Sequence, residues 1–168
     1  IRFTAEHQIF RDTLRAFIRK EITPYIDDWE KQGEIDRKVW KKMGDMGFMG
    51  LNYPEVYSGL ELDVYYSLIL CEELSHCFSG RFSISALVIQ FMSAPYLLKY
   101  GSEDLKARYL KPVIAGDMIS AVAITEPGAG SDVKQIKTTA VRDGDFYIVN
   151  GSKTFITNGY YGDFFITA

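Results

Sequence analysis

The apolar residues of this chain change their spacing once, near Asp117, and that switch restricts the fold to a helical part followed by a strand part. Before it, Ile9, Phe10, Leu14, Phe17, Ile18 and Ile22 repeat at helical spacing behind a possible Thr4 cap, and Pro24 stops the pattern. Asp36 ahead of Val39, Trp40 and Met43 predicts a second helix ending near Gly44, followed by the turn-rich stretch MGFMGLNYPEVYSGLELD. A third helix follows Asp63, with Leu68, Cys71, Leu74 and Cys77 on or near one face. The fourth, from about Phe82 to Tyr100, is apolar nearly all round and belongs at the centre of a bundle. Ser102, with Glu103 and Asp104 in the first turn, starts a fifth helix that Gly116 can terminate.

Beyond Asp117, Ile119 to Thr125 reads as a strand. Thr138 to Arg142, the Asp143-Gly144 turn, Phe146 to Val149, the Asn150-Gly151 turn and Lys153 to Thr157 read as a meander, and GDFFITA begins one more strand. The fold class is therefore α+β by segment: an all-helical bundle over residues 1–117, then the first strands of an antiparallel, barrel-like β domain over 118–168. So few strands do not close a barrel, and Phe164-Phe165-Ile166 would form an apolar edge. The expectation is the front part of a longer protein, with an incomplete β domain.

Composition narrows the functions. A net charge of -3 gives no electrostatic reason to expect nucleic acid or an anionic membrane as partner. Phe82 to Leu98 is interrupted by Ser83, Ser85, Gln90, Ser93 and Pro95, which argues for a buried helix and against a membrane span. The start of the chain, Ile1-Arg2-Phe3-Thr4, has no signal-peptide pattern. Cys71 and Cys77 are six apart, without flanking histidine, so a metal site is not expected, and unpaired thiols fit a reducing compartment. Most of the eleven Phe and eleven Tyr read as core, Glu72 and Glu73 as a solvated face, and His7 and His76 as surface or satisfied histidines.

Chemistry concentrates in Thr125-Glu126-Pro127-Gly128-Ala129-Gly130-Ser131-Asp132. Such residues also make plain connectors for backbone reasons alone. The loop lacks the Gly-Lys-Ser/Thr ending of a triphosphate loop, and its glycines do not fit the dinucleotide fingerprint. An anion-binding concavity of backbone N–H groups stays open. Glu126 and Asp132 are read as fixing the loop by accepting backbone N–H groups rather than as general bases.

Taken together, AITEPGAGSD, the following NGSKTFITNG, and the preceding CEELS and YGSEDLKARYLKPVIAGD resemble the acyl-CoA dehydrogenase family of flavoproteins over essentially the whole chain. Within that family the segments WEKQGEIDRKVWKKMGDMGFMGLN and CFSGRFSI look most like the long-chain group. The resemblance implies FAD as cofactor and oxidation of an acyl-CoA to the trans-2-enoyl-CoA, a carboxylate taking the α proton while hydride leaves the β carbon for flavin N5. It places Val122, Ile124 and Thr125 against the isoalloxazine, Gly130 where the backbone approaches the ligand, and Ser131 near both the diphosphate and the acyl-CoA. Phe155, Ile156 and Thr157 complete the flavin contacts, Phe155 and Thr157 sharing a face if the segment is a strand. Phe82, Leu87, Phe91 and Met92 are placed along the acyl channel.

The same resemblance puts the catalytic glutamate on a C-terminal helical domain outside these residues, so no catalytic residue is assigned here. It implies a homotetramer, electron-transfer flavoprotein as partner, and a cytoplasmic location in a bacterium or the mitochondrial matrix in a eukaryote. Gln135 and Ser58 depart from the family pattern, at positions where a small residue and a glycine are usual. Two alternatives remain: an oxidase-like relative that passes electrons to oxygen, and a noncatalytic interaction module that keeps the fold.

Overall fold

The computed structural model describes residues 2–168. Thr4 caps helix α1 (Ala5–Phe17): its hydroxyl accepts the His7 N–H at 3.3 Å, and its own N–H donates to His7 Nδ1 at 3.0 Å. This is a capping box with histidine in place of Glu or Gln. With Nδ1 accepting, Nε2 is left to donate to the Asp63 carboxylate, 3.2 Å away, so the buried His7 is satisfied.

Pro24 does not end the helical path. The chain loosens through a π turn (Ile18–Ile22), tightens through a 3-10 turn (Thr23–Tyr25) and continues as α2 (Ile26–Gln32). Pro24 stands in the first turn of a new segment, where its missing N–H leaves no bond unmade. Gly33 then closes α2 at φ +77. Asp36 caps α3 (Arg37–Asp45) and Asp63 caps α4 (Val64–Ser75), each carboxylate accepting a first-turn N–H, at 2.9 and 2.8 Å. Cys77 lies beyond α4, buried in the turn to Ser79.

Helix α5 (Gly80–Leu87), a π turn (Val88–Ser93) and α6 (Ala94–Tyr100) form one run of 21 residues. It is long and apolar enough to cross a membrane, yet half of its apolar window is buried within the protein. Only one face meets the core. Phe82, Ala86, Ile89, Ala94 and Leu97 are buried, whereas Ile84, Phe91, Met92 and Tyr96 are exposed, so the run flanks the bundle instead of running through its centre. Helix α7 (Glu103–Leu105), a π turn (Lys106–Leu110) and α8 (Lys111–Ile114) finish the helical part. Gly116, at φ +73, lets that end lie against α3; a Cβ there would fall 2.0 Å from the Trp40 carbonyl oxygen.

The core is built on a stack in which Phe82 lies against Trp40 (5.2 Å between centroids) and Trp29 (5.8 Å). Beside it, α1 and α4 meet through ions. Glu73 is buried and accepts from Arg11 and Arg15 at 2.7–2.8 Å, which corrects its reading as part of a solvated face. Burial pushes its carboxyl up, but the hydrogen bonds from Arg15 and Arg11 outweigh burial and hold it below the usual range.

Four strands follow among the described residues: β1 (Ser120–Ala123), β2 (Thr139–Asp143), β3 (Phe146–Asn150) and β4 (Phe164–Thr167). The α+β division holds, and neither of the two small sheets is closed. β2 and β3 form the expected antiparallel hairpin, but β1 pairs with β4 in parallel, reached by a long crossover rather than a turn. Lys153 to Thr157 is not a strand. Phe155 sits at φ +55, in the left-handed region, and breaks the extended path. Every residue of the hairpin is exposed, and with Phe78 and Tyr160 also exposed, many aromatic side chains lie outside the core to which the sequence assigned most of them.

Candidate functional site

The chain leaving β1 folds back at once. Glu126 N–H donates to Ala129 O at 2.9 Å and Ala129 N–H to Glu126 O at 3.1 Å, closing a tight turn around Pro127-Gly128. The buried Glu126 carboxylate collects the Lys153 ammonium at 2.8 Å, the Thr138 hydroxyl at 2.5 Å, and the N–H groups of Lys137 (2.8 Å) and Thr138 (2.9 Å). These bonds, that of Lys153 foremost, hold its carboxyl down to about 2. Asp132 accepts the Lys134 N–H at 3.2 Å. Both carboxylates thus fix the loop, as expected, and an anion so firmly held is a poor proton acceptor.

Lys153 has a second role. Its ammonium also donates to Ile124 O at 3.0 Å, and next to it Thr154 N–H donates to Thr125 O at 2.9 Å. The two sequence motifs, 27 residues apart at Glu126 and Lys153, are thereby locked side by side. Nothing in the periodicity singled out Lys153, because its partner is reached only through the tertiary fold.

Past Lys153 the chain makes a short turn with left-handed residues at both ends, Phe155 at φ +55 and Asn158 at φ +65. Phe155 is 94% exposed and Asn158 only 4%. The turn sets Phe155 and Ile156 on an open recess of about 510 Å³ with Ala123, Lys153, Tyr160 and Thr167. Thr157 lines an adjoining recess of about 330 Å³ with Arg81, Ile84 and Tyr161. The expectation that Phe155 and Thr157 share a face by strand alternation is therefore replaced: a turn splits them between neighbouring recesses that have Ile156 in common.

The remaining site residues are placed as follows. Ile124 and Thr125 are half-buried and tied through their carbonyls to Lys153 and Thr154. Val122 occupies the face of β1 opposite Ala121 and Ala123. Gly130 and Ser131 lie on the exposed loop, and no atom lies within 4 Å of where a Gly130 Cβ would stand, so the approach there is open. An exposed ring and an aliphatic side chain on an open recess, bordered by threonines, suit a flat conjugated ligand with a polar rim. Phe82 cannot line an acyl channel, since its ring is consumed by the core stack; Leu87 is half-buried, and Phe91 and Met92 are exposed.

Sequence reasoning missed Asn158, whose side chain bonds to Ser85, Ser120 and Tyr161. Its available signal was the Asn-Gly pair at 158–159, since asparagine tolerates the left-handed region. Among the described residues no group of three His, Cys, Asp or Glu side chains is placed to hold a metal ion. Both cysteines are free, and burial pushes the Cys71 thiol up, away from reactivity.

Comparison with known proteins follows the same division. A family model described as acyl-CoA dehydrogenase, N-terminal domain, matches residues 4–117, and one described as acyl-CoA dehydrogenase, middle domain, matches residues 121–168. The mitochondrial long-chain specific acyl-CoA dehydrogenase of Sus scrofa is 41% identical over 163 residues, covering 96% of this chain and 37% of that protein. The crystal structure of an acyl-CoA dehydrogenase from Geobacillus kaustophilus superposes with a TM-score of 0.93 at 44% identity, covering 99% of this chain and 43% of that one. That of an acyl-CoA dehydrogenase complexed with FAD from Bacillus anthracis gives 0.90 at 34% identity, covering 98% and 28%. The chain spans about two-fifths of the length of the curated relatives that it matches.

Proposed function

The chain belongs to the acyl-CoA dehydrogenase family, and on that premise we propose that it supplies the flavin-facing half of an acyl-CoA oxidation site. The helical domain spans residues 1–117 and the first part of the β domain residues 118–168. The intact protein binds FAD and converts an acyl-CoA thioester, of long chain by the relatives it resembles, to the trans-2-enoyl-CoA. The observation that carries this reading is the lock between the two loops: Lys153 bonded to Ile124 O and Glu126, and Thr154 N–H bonded to Thr125 O.

When bound, FAD supplies the two-electron acceptor. Val122, Ile124, Thr125, Gly130, Ser131, Phe155, Ile156 and Thr157 are the residues that would hold it. The exposed Phe155 ring offers an apolar platform, and the Thr125 and Thr157 hydroxyls offer hydrogen bonds at a polar ring edge. Ser131, on the open loop, would reach the acyl-CoA and the diphosphate. Glu126 is spent on four hydrogen bonds and is unsuited to take the α proton; as the family resemblance implies, that base comes from outside these residues. Electron-transfer flavoprotein as acceptor, a homotetramer, and a cytoplasmic or mitochondrial-matrix location complete the proposal.

The test is anaerobic titration of the full-length gene product with palmitoyl-CoA. A flavin absorption band that bleaches on addition supports the reading. A protein that purifies without flavin and takes none up, or a flavin that palmitoyl-CoA leaves oxidised, contradicts it.

A further inference from the structure

We propose that Asn158 is a positioning residue, setting the pose of the Phe155–Thr157 turn by pinning it to the helical part; the proposal rests on the flavin-facing reading of that turn. A side-chain amide can make about four hydrogen bonds, and here all four are made. Oδ1 accepts the hydroxyls of Ser85 and, at 3.2 Å, Tyr161. Nδ2 donates to Ser120 O at 3.0 Å and Ser85 O at 3.5 Å. One buried side chain thus joins α5, β1 and the loop after the turn.

Local backbone geometry points the same way. Left-handed non-glycine residues persist only where their surroundings over-determine them. Phe155 is such a residue, yet its ring is exposed and cannot hold it through packing. The constraint must come through the backbone on either side. On one side stand the bonds of Lys153 and Thr154; on the other stands Asn158, with Gly159 N–H donating to Ile156 O at 2.9 Å and Gly162 N–H to Asn158 O at 2.8 Å. Asparagine supplies both the left-handed conformation and the four bonds. Glycine would supply the conformation alone, and aspartate would lose the donor that reaches Ser120 and Ser85.

A second tie between the two parts does not touch this turn. Arg37 Nη2 meets Asp163 Oδ2 at 2.5 Å, Arg37 Nη1 donates to Tyr161 O at 3.0 Å, and Asp163 accepts the Ile119 N–H at 2.7 Å. It furnishes the control, because cutting it weakens docking of the strand part while removing none of the four Asn158 side-chain bonds; the one residue shared is Tyr161, held by Arg37 through its carbonyl and by Asn158 through its hydroxyl.

The experiment compares wild type, Asn158→Gly, Asn158→Asp and Arg37→Gln in the full-length gene product purified with its flavin. It reads the visible flavin band, the reduction potential, the thermal midpoint, and amide exchange at residues 155–157. Asn158→Gly is expected to move the band and potential and to speed exchange in the turn by about tenfold or more. Asn158→Asp falls between it and wild type, while Arg37→Gln lowers the midpoint and leaves band, potential and turn exchange unchanged. An unaltered band and exchange rate in Asn158→Gly, or equal shifts in Arg37→Gln, would overturn the proposal. Should Asn158→Gly not fold, Ser85→Ala removes one of the four bonds and must show a smaller change of the same kind. If wild type carries no flavin, the functional reading fails; the exchange rates still decide whether Asn158 holds the turn.

Discussion

In the helical part Trp29, Phe82 and Trp40 stack within one cluster of buried side chains that includes many Leu and Ile, while in the strand part every residue of β2 and β3 is exposed. The candidate site sits where the two meet, and its local order comes from polar ties: Glu126 with Lys153, Thr138 and Lys137; Asn158 with Ser85 and Ser120; Asp163 with Arg37 and Ile119. Apolar burial is nearly indifferent to direction, whereas a hydrogen bond fixes distance and angle. A segment that must present a ring and hydroxyls to a ligand, and so cannot bury them, is shaped by the directional force.

The contrast breaks most visibly in the core. Phe82→Ala removes a fully buried ring and should cost about 3–5 kcal/mol in urea denaturation followed by far-UV circular dichroism. A loss of about 0.5 kcal/mol or less, the level of ordinary surface substitutions, would mean that the helical part is not held by its stack. Glu73→Gln comes next. It leaves Arg11 and Arg15 facing a neutral amide, and should cost about 2–3 kcal/mol, less than the full loss for a wholly buried pair because Arg15 is partly exposed.

The strand part should respond to pH where the helical stack does not. Glu126 is held at about 2 against an ordinary 4.5, so the stability it contributes is present above pH 4.5 and is lost as pH falls from 4.5 toward 2. Protection of the Lys137 and Thr138 amides, the two N–H groups it accepts, measured relative to intrinsic exchange at each pH, should therefore fall over that window. Glu126→Gln should remove most of this dependence; protection that still falls with pH in that variant would place the titrating group elsewhere. Smallest of all should be Val149→Thr on the exposed hairpin, within about 0.5 kcal/mol of wild type by urea denaturation. A cost of several times that would mean the hairpin packs against something in the full-length protein, sharpening the contrast into a statement about assembly.

The same contrast explains what the sequence made legible. Helix starts at Thr4, Asp36, Asp63 and Ser102 could be read directly, because a cap and an apolar stripe are local signals that the finished helix keeps. Pro24 misled, since a proline that stops one helix also suits the first turn of the next, and α2 went unseen. The hairpin at Asp143-Gly144 was legible for the same local reason. The parallel pairing of β1 with β4 was not, because register between distant segments leaves no mark in either one. At the site, the two motifs were readable as residues, and Glu126 was read correctly as a loop anchor. Alternation failed for Phe155 and Thr157, where a left-handed backbone overrides the strand pattern. Glu73 failed in the opposite sense: a charge on a helix face looks solvated until the arginines from α1 are seen beside it.

If the two loops locked by Lys153 together form the flavin-binding surface, both should respond at once when flavin binds. Hydrogen exchange of the full-length gene product, stripped of flavin and then reloaded with FAD, reads that response. Exchange should slow on FAD addition in residues 122–131 and 154–158 together, with the amides around the Trp40–Phe82 stack unchanged. Protection confined to one of the two loops, or absent from both, would contradict a shared surface.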